Sequence, residues 1–323
     1  MDISVVSPVY MASGIVDELV SRIKENLSTI TTDFEIVLVE DGSPDNSWEE
    51  IEKNCKKDKR VKGIKLTRNF GQHYALSCGL KYTEGNYVVV IDCDLQDDPK
   101  YIRDLYKKAL EGFDVVYAKK NKRSHNFFKN LTASLYYKIL SFISDYDMDP
   151  TMGSFSILSR RVVDSFLRFN DYRRCYRMVL TWLGYKYSYV YVDHTDRFKG
   201  KSSYSFKKLI EQATENTILY SSRLLQLSIY IGILFSTLSV IGVIYLIYQY
   251  FFIGYKEGWT SLMVMIFLVG GLILLSLGIM GLYIGAIFEQ VKGRPLFLID
   301  ETLNCQEEKR YDFKQSELLT KPR

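Results

Sequence analysis

The sequence predicts an α/β protein in which an open, mixed and mostly parallel sheet is flanked by helices and followed by a two-helix transmembrane hairpin. Two observations lead to this fold class. Over roughly the first 120 residues, short apolar runs alternate with segments of helical periodicity, the pattern of a sheet covered by helices on both faces. Residues 227–253 and 261–288 carry almost no charge, and each run exceeds the about 20 residues that a helix needs to cross a bilayer.

Five apolar runs are predicted as buried strands, and the segments between them as helices. The strands are 3–9, 35–39, 61–66, 87–91 and 114–117. The helices are 16–27, 48–56, 74–82 and 101–110, the last introduced by Asp98 as cap and Pro99 at the first helical position. Polar clusters follow the first four strands, and such sheets bind ligands beyond the carboxyl ends of their strands. We therefore expect a ligand site at that edge.

Composition excludes several functional classes. A formal net charge of +4 over 323 residues is too small for a dedicated nucleic-acid binder and fits a basic face against anionic lipid. The five cysteines are scattered without a zinc-like spacing, so reduced thiols in the cytosol are expected. Neither GxGxxG after the first strand nor GxxxxGK[ST] occurs, which argues against a dinucleotide oxidoreductase and a P-loop NTPase. The N-terminus has no signal-peptide pattern.

Basic residues lie on one side of the apolar hairpin. The flanking lysines and arginines are Lys199, Lys201, Lys207, Lys208, Arg223, Lys292 and Arg294, whereas the link 254–258 has one lysine beside a glutamate. By the positive-inside rule, we predict a multi-pass protein of the cell membrane with both termini and the N-terminal domain in the cytoplasm. The glycines of the spans, including Gly281 and Gly285, suit close helix packing and allow a homo-oligomer.

These patterns give a domain organisation. We predict a catalytic domain over 1–204, a juxtamembrane helix over 205–225, two transmembrane helices within 226–289 and a cytoplasmic tail over 290–323. Apolar residues at helical spacing over 126–143 predict an amphipathic helix in the membrane interface. The alternative for the amphipathic helices is that their apolar faces cover the sheet.

Asp92 and Asp94 carry the clearest chemical signal. They follow the fourth predicted strand with one residue between them, so both carboxylates can face one point. Such hard oxygen ligands suit Mg²⁺ or Mn²⁺ holding a diphosphate, and a metal there offsets the charge on a leaving nucleoside diphosphate. The alternative is a solvated turn.

Four ordered motifs carry a family resemblance. They are Val5-Val6-Ser7-Pro8-Val9-Tyr10, Val39-Glu40-Asp41-Gly42-Ser43-Pro44-Asp45, Arg68-Asn69-Phe70-Gly71-Gln72-His73 and Asp92-Cys93-Asp94-Leu95-Gln96-Asp97-Asp98-Pro99. With the paired spans and Gly293-Arg294-Pro295, the chain resembles the family-2 glycosyltransferases of GT-A fold to about residue 298. It is similar to their polyisoprenyl-phosphate branch, the relatives of dolichol-phosphate mannose synthase with two membrane helices. The resemblance implies inverting, metal-dependent transfer of a sugar from a nucleotide-sugar donor to a polyisoprenyl phosphate.

The resemblance also implies roles for individual residues. The residues implied in donor binding are Pro8, Tyr10, Glu40, Asp41, Asp92 and Gln96. Those implied in metal binding are Asp92, Asp94 and Gln96. Those implied in binding the acceptor phosphate are Arg123, Arg197 and Lys201. Asp92, Asp94 and Arg197 are the catalytic candidates. A guanidinium fork suits phosphate oxygens, although Arg197 is also interpretable as a juxtamembrane charge against lipid headgroups.

The chain departs from the family pattern at three places. Met11-Ala12 replace the usual Asn-Glu, Ser203 replaces a lysine for which Lys201 can substitute, and Ser154 stands where many relatives carry an aspartate proposed as catalytic base. A lipid phosphate is already largely ionised near neutral pH, so it needs positioning more than deprotonation. If a carboxylate base exists, Asp147 and Asp149 are the candidates.

Two other functions compete with this interpretation. A polymerising synthase, or a transferase acting on saccharide or glycolipid hydroxyls, is the second enzyme class, but the Gln-x-x-Arg-Trp motif and additional spans of processive relatives are absent. A membrane-tethered scaffold without catalysis is the third. The retention of Asp92, Asp94 and Arg197 argues against it.

Overall fold

The computed structural model of the protein describes residues 1–120, 152–169, 171–172, 174–193, 223–252 and 258–305. It contains one eight-stranded sheet, helices on both faces of that sheet, and two long apolar helices. The predicted amphipathic helix at 126–143 lies outside the described residues. So does the predicted juxtamembrane helix except for its last residues, 223–225, which belong to the first long helix.

The strands and helices are as follows. The strands are β1 Ile3–Val9, β2 Phe34–Glu40, β3 Val61–Leu66, β4 Tyr87–Val90, β5 Val115–Lys120, β6 Met152–Ser159, β7 Tyr187–Val192 and β8 Ile299–Leu303. The helices are α1 Val16–Ser28, α2 Ser47–Lys57, α3 Gln72–Lys81, α4 Ile102–Leu110, α5 Arg160–Leu167, α6 Tyr176–Leu183, α7 Arg223–Phe252 and α8 Trp259–Val291. A short 3-10 helix, Pro99–Tyr101, leads into α4.

The sheet has the strand order β7-β5-β6-β4-β1-β2-β3-β8. Strand β1 pairs in parallel with β2 and β4, β2 with β3, and β5 with β7. Strand β6 is antiparallel to both β4 and β5, and β8 is antiparallel to β3. The predicted fold class, a mixed and mostly parallel sheet flanked by helices, is confirmed.

Two apolar cores hold the sheet between its helices. Successive side chains of a strand point to opposite faces, and β1 shows this directly: Val5 belongs to the core under α1, α2 and α4, whereas Val6 belongs to the core under α3, α5 and α6. Every residue of β1 and β2 is buried. The carboxyl ends of these central strands therefore stand on a rigid three-layer scaffold.

The predicted strands and helices of the first 120 residues are all present, and three strands were not predicted. Strand β6 runs against β4 and inserts between β4 and β5. Strand β7 forms one edge of the sheet. Strand β8 lies within 290–323, which the sequence assigned only to a tail, and it extends the sheet beyond β3.

Helices α7 and α8 contain the two apolar segments that the sequence singled out. Ser228–Gln249 and Leu268–Val291 are long and apolar enough to cross a membrane, and their side chains are not buried by the rest of the described chain. A Cβ added at any glycine of these helices, including Gly281 and Gly285, meets no atom within 4 Å. Among the described residues, these glycines therefore do not mediate a close helix approach within the chain.

Candidate active site

The loops that follow β1, β2, β3 and β4 meet at one edge of the sheet, as predicted. Because these four strands are parallel neighbours, their carboxyl ends lie side by side. Pro8 is buried near the end of β1, and Tyr10 just beyond it is 44% exposed. The β2 end is tied to β1 by the Asp41 amide, which donates to the Val9 carbonyl oxygen at 2.9 Å.

Asp41 holds the loop between β3 and α3. Its Oδ1 accepts from the Phe70 amide at 2.7 Å and its Oδ2 from the Gly71 amide at 2.9 Å. Burial and the neighbouring Glu40 raise the pKa of Asp41, and the two amide hydrogen bonds partly offset the rise. Gly71 has φ of +108°, which suits glycine. Asp41, which the sequence predicted to bind the nucleotide-sugar donor, thus lies at the site. Both of its carboxylate oxygens accept main-chain hydrogen bonds.

Gly42 lets the β2 and β3 loops approach each other. It adopts φ of +62°, and an added Cβ would lie 2.3 Å from the backbone of Arg68 and of Asn69. A side chain at this position would push the two loops apart. The close approach of the two loops therefore requires both residues. Asp41 accepts hydrogen bonds from the facing amides, and Gly42 leaves room for the backbone of the other loop.

Glu40 and its neighbours hold the loop after β1. Glu40 is 1% exposed; its Oε1 accepts from the Ser43 amide, and its Oε2 is buried with no hydrogen-bond partner among the described residues. Ser43 Oγ in turn accepts from the Met11 amide at 3.0 Å, and Ser47 Oγ accepts from the Ala12 amide at 3.1 Å. Met11 and Ala12, which depart from the sequence pattern of the resembled family, thus lie in an ordered turn in which Met11 has φ of +50°.

Asp92 lies between two side chains from different elements. Gln72 Nε2, at the start of α3, donates to Asp92 Oδ1 at 2.8 Å. The Ser154 side chain also hydrogen-bonds to Asp92. This position follows from strand register, because Val90 faces Ser156 in the antiparallel β4–β6 pair, and two further steps bring Asp92 opposite Ser154. Ser154 therefore lies beside the Asp92 carboxylate.

The electrostatic environment of Asp92 is acidic. Burial is the largest effect and, with repulsion from Asp97 and Asp94, raises the pKa of Asp92 to about 6. The Ser154 hydrogen bond and Lys120 act in the opposite direction. Asp97 is 6% exposed, and its Oδ1 lies 4.0 Å from Lys120 Nζ.

Asp94 and Gln96 form the turn that follows β4. Asp94 Oδ1 accepts from the Gln96 amide at 3.2 Å, and Leu95 between them has φ of +57°. Asp98 Oδ1 then accepts from the Lys100 amide at 3.0 Å and begins the helical segment at Pro99, as the sequence predicted.

The oxygen-bearing side chains of Asp92, Asp94 and Gln96 fit a hard divalent cation as ligands. All three side chains carry oxygen atoms of the kind that such a cation prefers, and the repulsion from Asp97 and Asp94 that adds to burial in raising the pKa of Asp92 is the kind that a bound cation relieves. The described residues contain no group of three or more His, Cys, Asp or Glu side chains that could hold a metal ion. Mg²⁺ is usually bound by one or two carboxylates together with substrate phosphates and water.

The structure brings most predicted site residues to one edge. Pro8, Tyr10, Glu40, Asp41, Asp92, Asp94 and Gln96 belong to the loops or strand ends just described. Arg123, Arg197, Lys201, Asp147 and Asp149 lie outside the described residues. Gln72 was not assigned a role from the sequence, although it belongs to one of the four motifs. Its position directly after Gly71 was the available signal.

The chain belongs to the family-2 glycosyltransferases. The family model described as "Glycosyl transferase family 2" matches residues 4–167, which include all four loops of the site and β6 with Ser154. The protein is therefore a glycosyltransferase.

Individual relatives match along nearly the whole chain. The uncharacterized glycosyltransferase YkcC of Bacillus subtilis (strain 168) is 34% identical over 310 residues, covering 95% of this chain and 96% of the relative. The bactoprenol glucosyl transferase of Shigella phage SfX is 32% identical over 301 residues, covering 93% and 99%. Among solved structures, a mannosyltransferase from Pyrobaculum calidifontis in complex with GDP-Man and Mn²⁺ aligns at a TM-score of 0.48 with 15% identity, over 67% of this chain and 63% of the other. The likeness to that structure adds nothing to the family assignment.

Proposed function

We propose that this protein transfers a sugar from a nucleotide-sugar donor to a polyisoprenyl phosphate, with inversion at the sugar carbon. The observation that carries the proposal is the similarity to a bactoprenol glucosyl transferase over 93% of the chain. That span is long enough to include both apolar helices as well as the site. An acceptor that is itself a membrane lipid explains why a transferase domain is joined to such helices.

The donor is proposed to lie across the loops after β1, β2 and β4. Pro8, Tyr10, Glu40 and Asp41 would line the nucleoside pocket, with the exposed ring of Tyr10 available for stacking on the base. Asp92, Asp94 and Gln96 would hold Mg²⁺ or Mn²⁺ beside the diphosphate. The bound cation supplies charge neutralisation for the departing nucleoside diphosphate.

The replacement of a catalytic base by Ser154 favours a phosphate acceptor. A sugar hydroxyl must lose a proton as it attacks, whereas a phosphate monoester, with a second pKa near 6, already presents an ionised oxygen. Ser154 hydrogen-bonds to Asp92 and supplies no carboxylate. Arg123, Arg197 and Lys201 are proposed to hold the acceptor phosphate and offset its charge.

The cytoplasmic face of the cell membrane is the proposed location. The asymmetric distribution of lysine and arginine around the hairpin supports this orientation. The pairing of β8 with β3 also supports a hairpin that crosses twice, because the chain after α8 returns to the same domain that precedes α7. Homo-oligomerisation through the glycine-rich helices stays a prediction, testable by the mass of the purified protein in detergent.

The direct test incubates membranes that contain the full chain with a panel of radiolabelled nucleotide sugars and identifies the product by mass spectrometry. We expect a sugar linked to polyisoprenyl phosphate, formed only when Mg²⁺ or Mn²⁺ is present. A product with the sugar on a saccharide or glycolipid hydroxyl would favour the alternative transferase. No transfer from any donor would overturn the proposal.

A further inference from the structure

The last turn of α8 contacts the catalytic domain at a defined point. The Tyr172 amide, in the segment between α5 and α6, donates to Gln290 Oε1 at 2.7 Å. The Tyr74 hydroxyl, in the first turn of α3, donates to the Tyr172 carbonyl oxygen at 2.7 Å. The two tyrosine rings lie with centroids 6.4 Å apart. One residue, Tyr172, therefore links the end of the second apolar helix to α3.

The same turn of α3 reaches the site from its other side. Gln72, which donates to Asp92, and Tyr74 are two residues apart on the helix. Residues at that spacing do not face the same direction on a helix. The first turn of α3 thus stands between the end of α8 and the Asp92 carboxylate, in contact with both.

The chain beyond α8 fixes the same region a second time. The Thr67 amide, at the end of β3, donates to the Leu298 carbonyl oxygen at 3.0 Å, and β8 then pairs with β3. Phe297 packs against the core that contains α3. Leu298 therefore contacts the start of the β3–α3 loop, and Gln290 reaches the first turn of α3 through Tyr172.

We infer that Gln290 is a positioning residue, which holds the carboxyl edge of the sheet at a fixed height and tilt over the membrane so that a lipid-borne phosphate can reach it. The inference rests on the proposed lipid phosphate acceptor. A headgroup attached to a long chain cannot leave the interface, so alignment must come from the protein. Displacements of about 1 Å between reacting groups are enough to slow a reaction strongly.

The test compares two acceptors in the full-length protein reconstituted in vesicles or detergent. Gln290→Leu removes the acceptor oxygen at similar size, and Gln290→Glu keeps one. Gln249→Leu makes the matched change near the end of α7. With long-chain polyisoprenyl phosphate in vesicles, kcat/KM for the lipid is expected to fall roughly threefold to tenfold in Gln290→Leu, the range of one net hydrogen bond. Gln290→Glu and Gln249→Leu should retain the wild-type rate.

A short, water-soluble prenyl phosphate separates positioning from stability. Its transfer rate, and the KM for the donor, are expected to stay unchanged in Gln290→Leu, because a soluble acceptor does not depend on the height of the site. An equal loss with both acceptors, or no loss with either, would overturn the inference. Wild-type protein that transfers sugar to neither acceptor would instead overturn the proposed function.

Hydrogen exchange tests the contact without any activity. The Tyr172 amide hydrogen is expected to exchange faster in Gln290→Leu than in the wild type, with the amides of β1 and β2 unaffected. Unchanged exchange at Tyr172 would contradict the role given to Gln290, whatever the acceptor proves to be.

Discussion

The side-chain amide of Gln72 donates to the Asp92 carboxylate across 2.8 Å. The contact joins the start of α3 to the loop after β4, and Ser154 approaches the same carboxylate from β6. Asp41 completes the arrangement, because it holds the amides of Phe70 and Gly71 directly before Gln72. Residues from two other family motifs, together with Ser154, thus surround the Asp92 carboxylate.

Replacement of Gln72 tests this orientation. Gln72→Ala is expected to lower both the apparent affinity for Mg²⁺ or Mn²⁺ and the transfer rate, by about 10- to 100-fold, because the partners that orient a metal ligand contribute that much. A metal titration of sugar transfer measures both quantities. Glu49→Ala, an exposed change in the first turn of α2, is the control. A normal metal dependence in Gln72→Ala would contradict the role.

Removal of Asp94 tests the metal proposal itself. Asp94→Ala is expected to abolish transfer, because the leaving diphosphate would lose its cation. Chelation of divalent ions from the wild type should have the same effect and be reversed by adding Mg²⁺ or Mn²⁺. Asp104→Ala, on the exposed face of α4, should remain active. Full activity of Asp94→Ala would remove the argument for a metal at this turn.

The raised pKa of Asp92 predicts a pH-dependent stability. Burial and the neighbouring carboxylates raise its pKa from 3.8 to about 6. Between about pH 4 and pH 6 the folded protein therefore holds a proton that the unfolded chain has released, and the free energy of unfolding falls as the pH rises through this window. Asp92→Asn in metal-free buffer should be stabilised by up to ~3 kcal/mol above this window and by little below it.

Melting temperatures across the pH range check this expectation. Asp104→Asn serves as the matched change at an exposed position. The stabilised Asp92→Asn variant should be poorly active, because it lacks the carboxylate charge that destabilises the fold and that is proposed to bind the cation. A loss of stability in Asp92→Asn above pH 6 would show that the Asp92 charge does not destabilise the fold.

A buried ion pair at the opposite edge of the sheet predicts a large stability effect. Lys62 Nζ lies 2.6 Å from Glu35 Oε2, with side-chain exposures of 9% and 0%. Lys62→Met leaves the Glu35 charge buried without its cation and is expected to cost about 3–5 kcal/mol. Lys53→Met, which breaks the exposed pair with Asp17, should cost at most about 1 kcal/mol. Chemical denaturation in detergent measures both, and equal losses would contradict the prediction.

Asn304 anchors the end of β8. Its Nδ2 donates to the carbonyl oxygens of Cys55 and Val61, both at 2.8 Å, and its φ is +57°. Asn304→Ala is expected to weaken the attachment of β8 by about 1–3 kcal/mol. Faster hydrogen exchange in β8, with β1 unchanged, is the readout. Lys59→Ala, which removes only an exposed contact to Asn304, should have a smaller effect; equal exchange rates in the wild type and Asn304→Ala would contradict the anchoring.

The sequence predicted the first strands well because each is a short run rich in apolar residues and followed by a polar cluster. Strands β1 and β3 have the predicted bounds, although β3 includes Lys62 and Lys65. Strand β8 was missed because Asp300 and Glu301 are exposed on an edge. Strand β7 was missed because Tyr187, Tyr189 and Tyr191 alternate outward, largely exposed, so it lacks the continuous apolar run that marked the other strands.

The contacts of the site were harder to predict than its location. The polar ends of β1 to β4 predicted one edge, because consecutive parallel strands share it. The approach of Ser154 to Asp92 depends on β6 entering the sheet between β4 and β5, which no local pattern encodes. The same holds for Tyr172 and Gln290, which are 118 residues apart in the chain.

The late position of β8 in the chain constrains how the protein is made and handled. During synthesis the N-terminal domain emerges long before Ile299, so β3 presents unsatisfied main-chain groups until both apolar helices have left the ribosome. A recombinant fragment that stops before α7 would leave the edge of β3 unpaired permanently, and unpaired strand edges recruit other chains into aggregates. Residues 299–305 thus cover the edge of β3 with a strand whose exposed Asp300 and Glu301 discourage further pairing, and a solubility screen of shortened fragments would be improved by supplying these residues as a separate peptide.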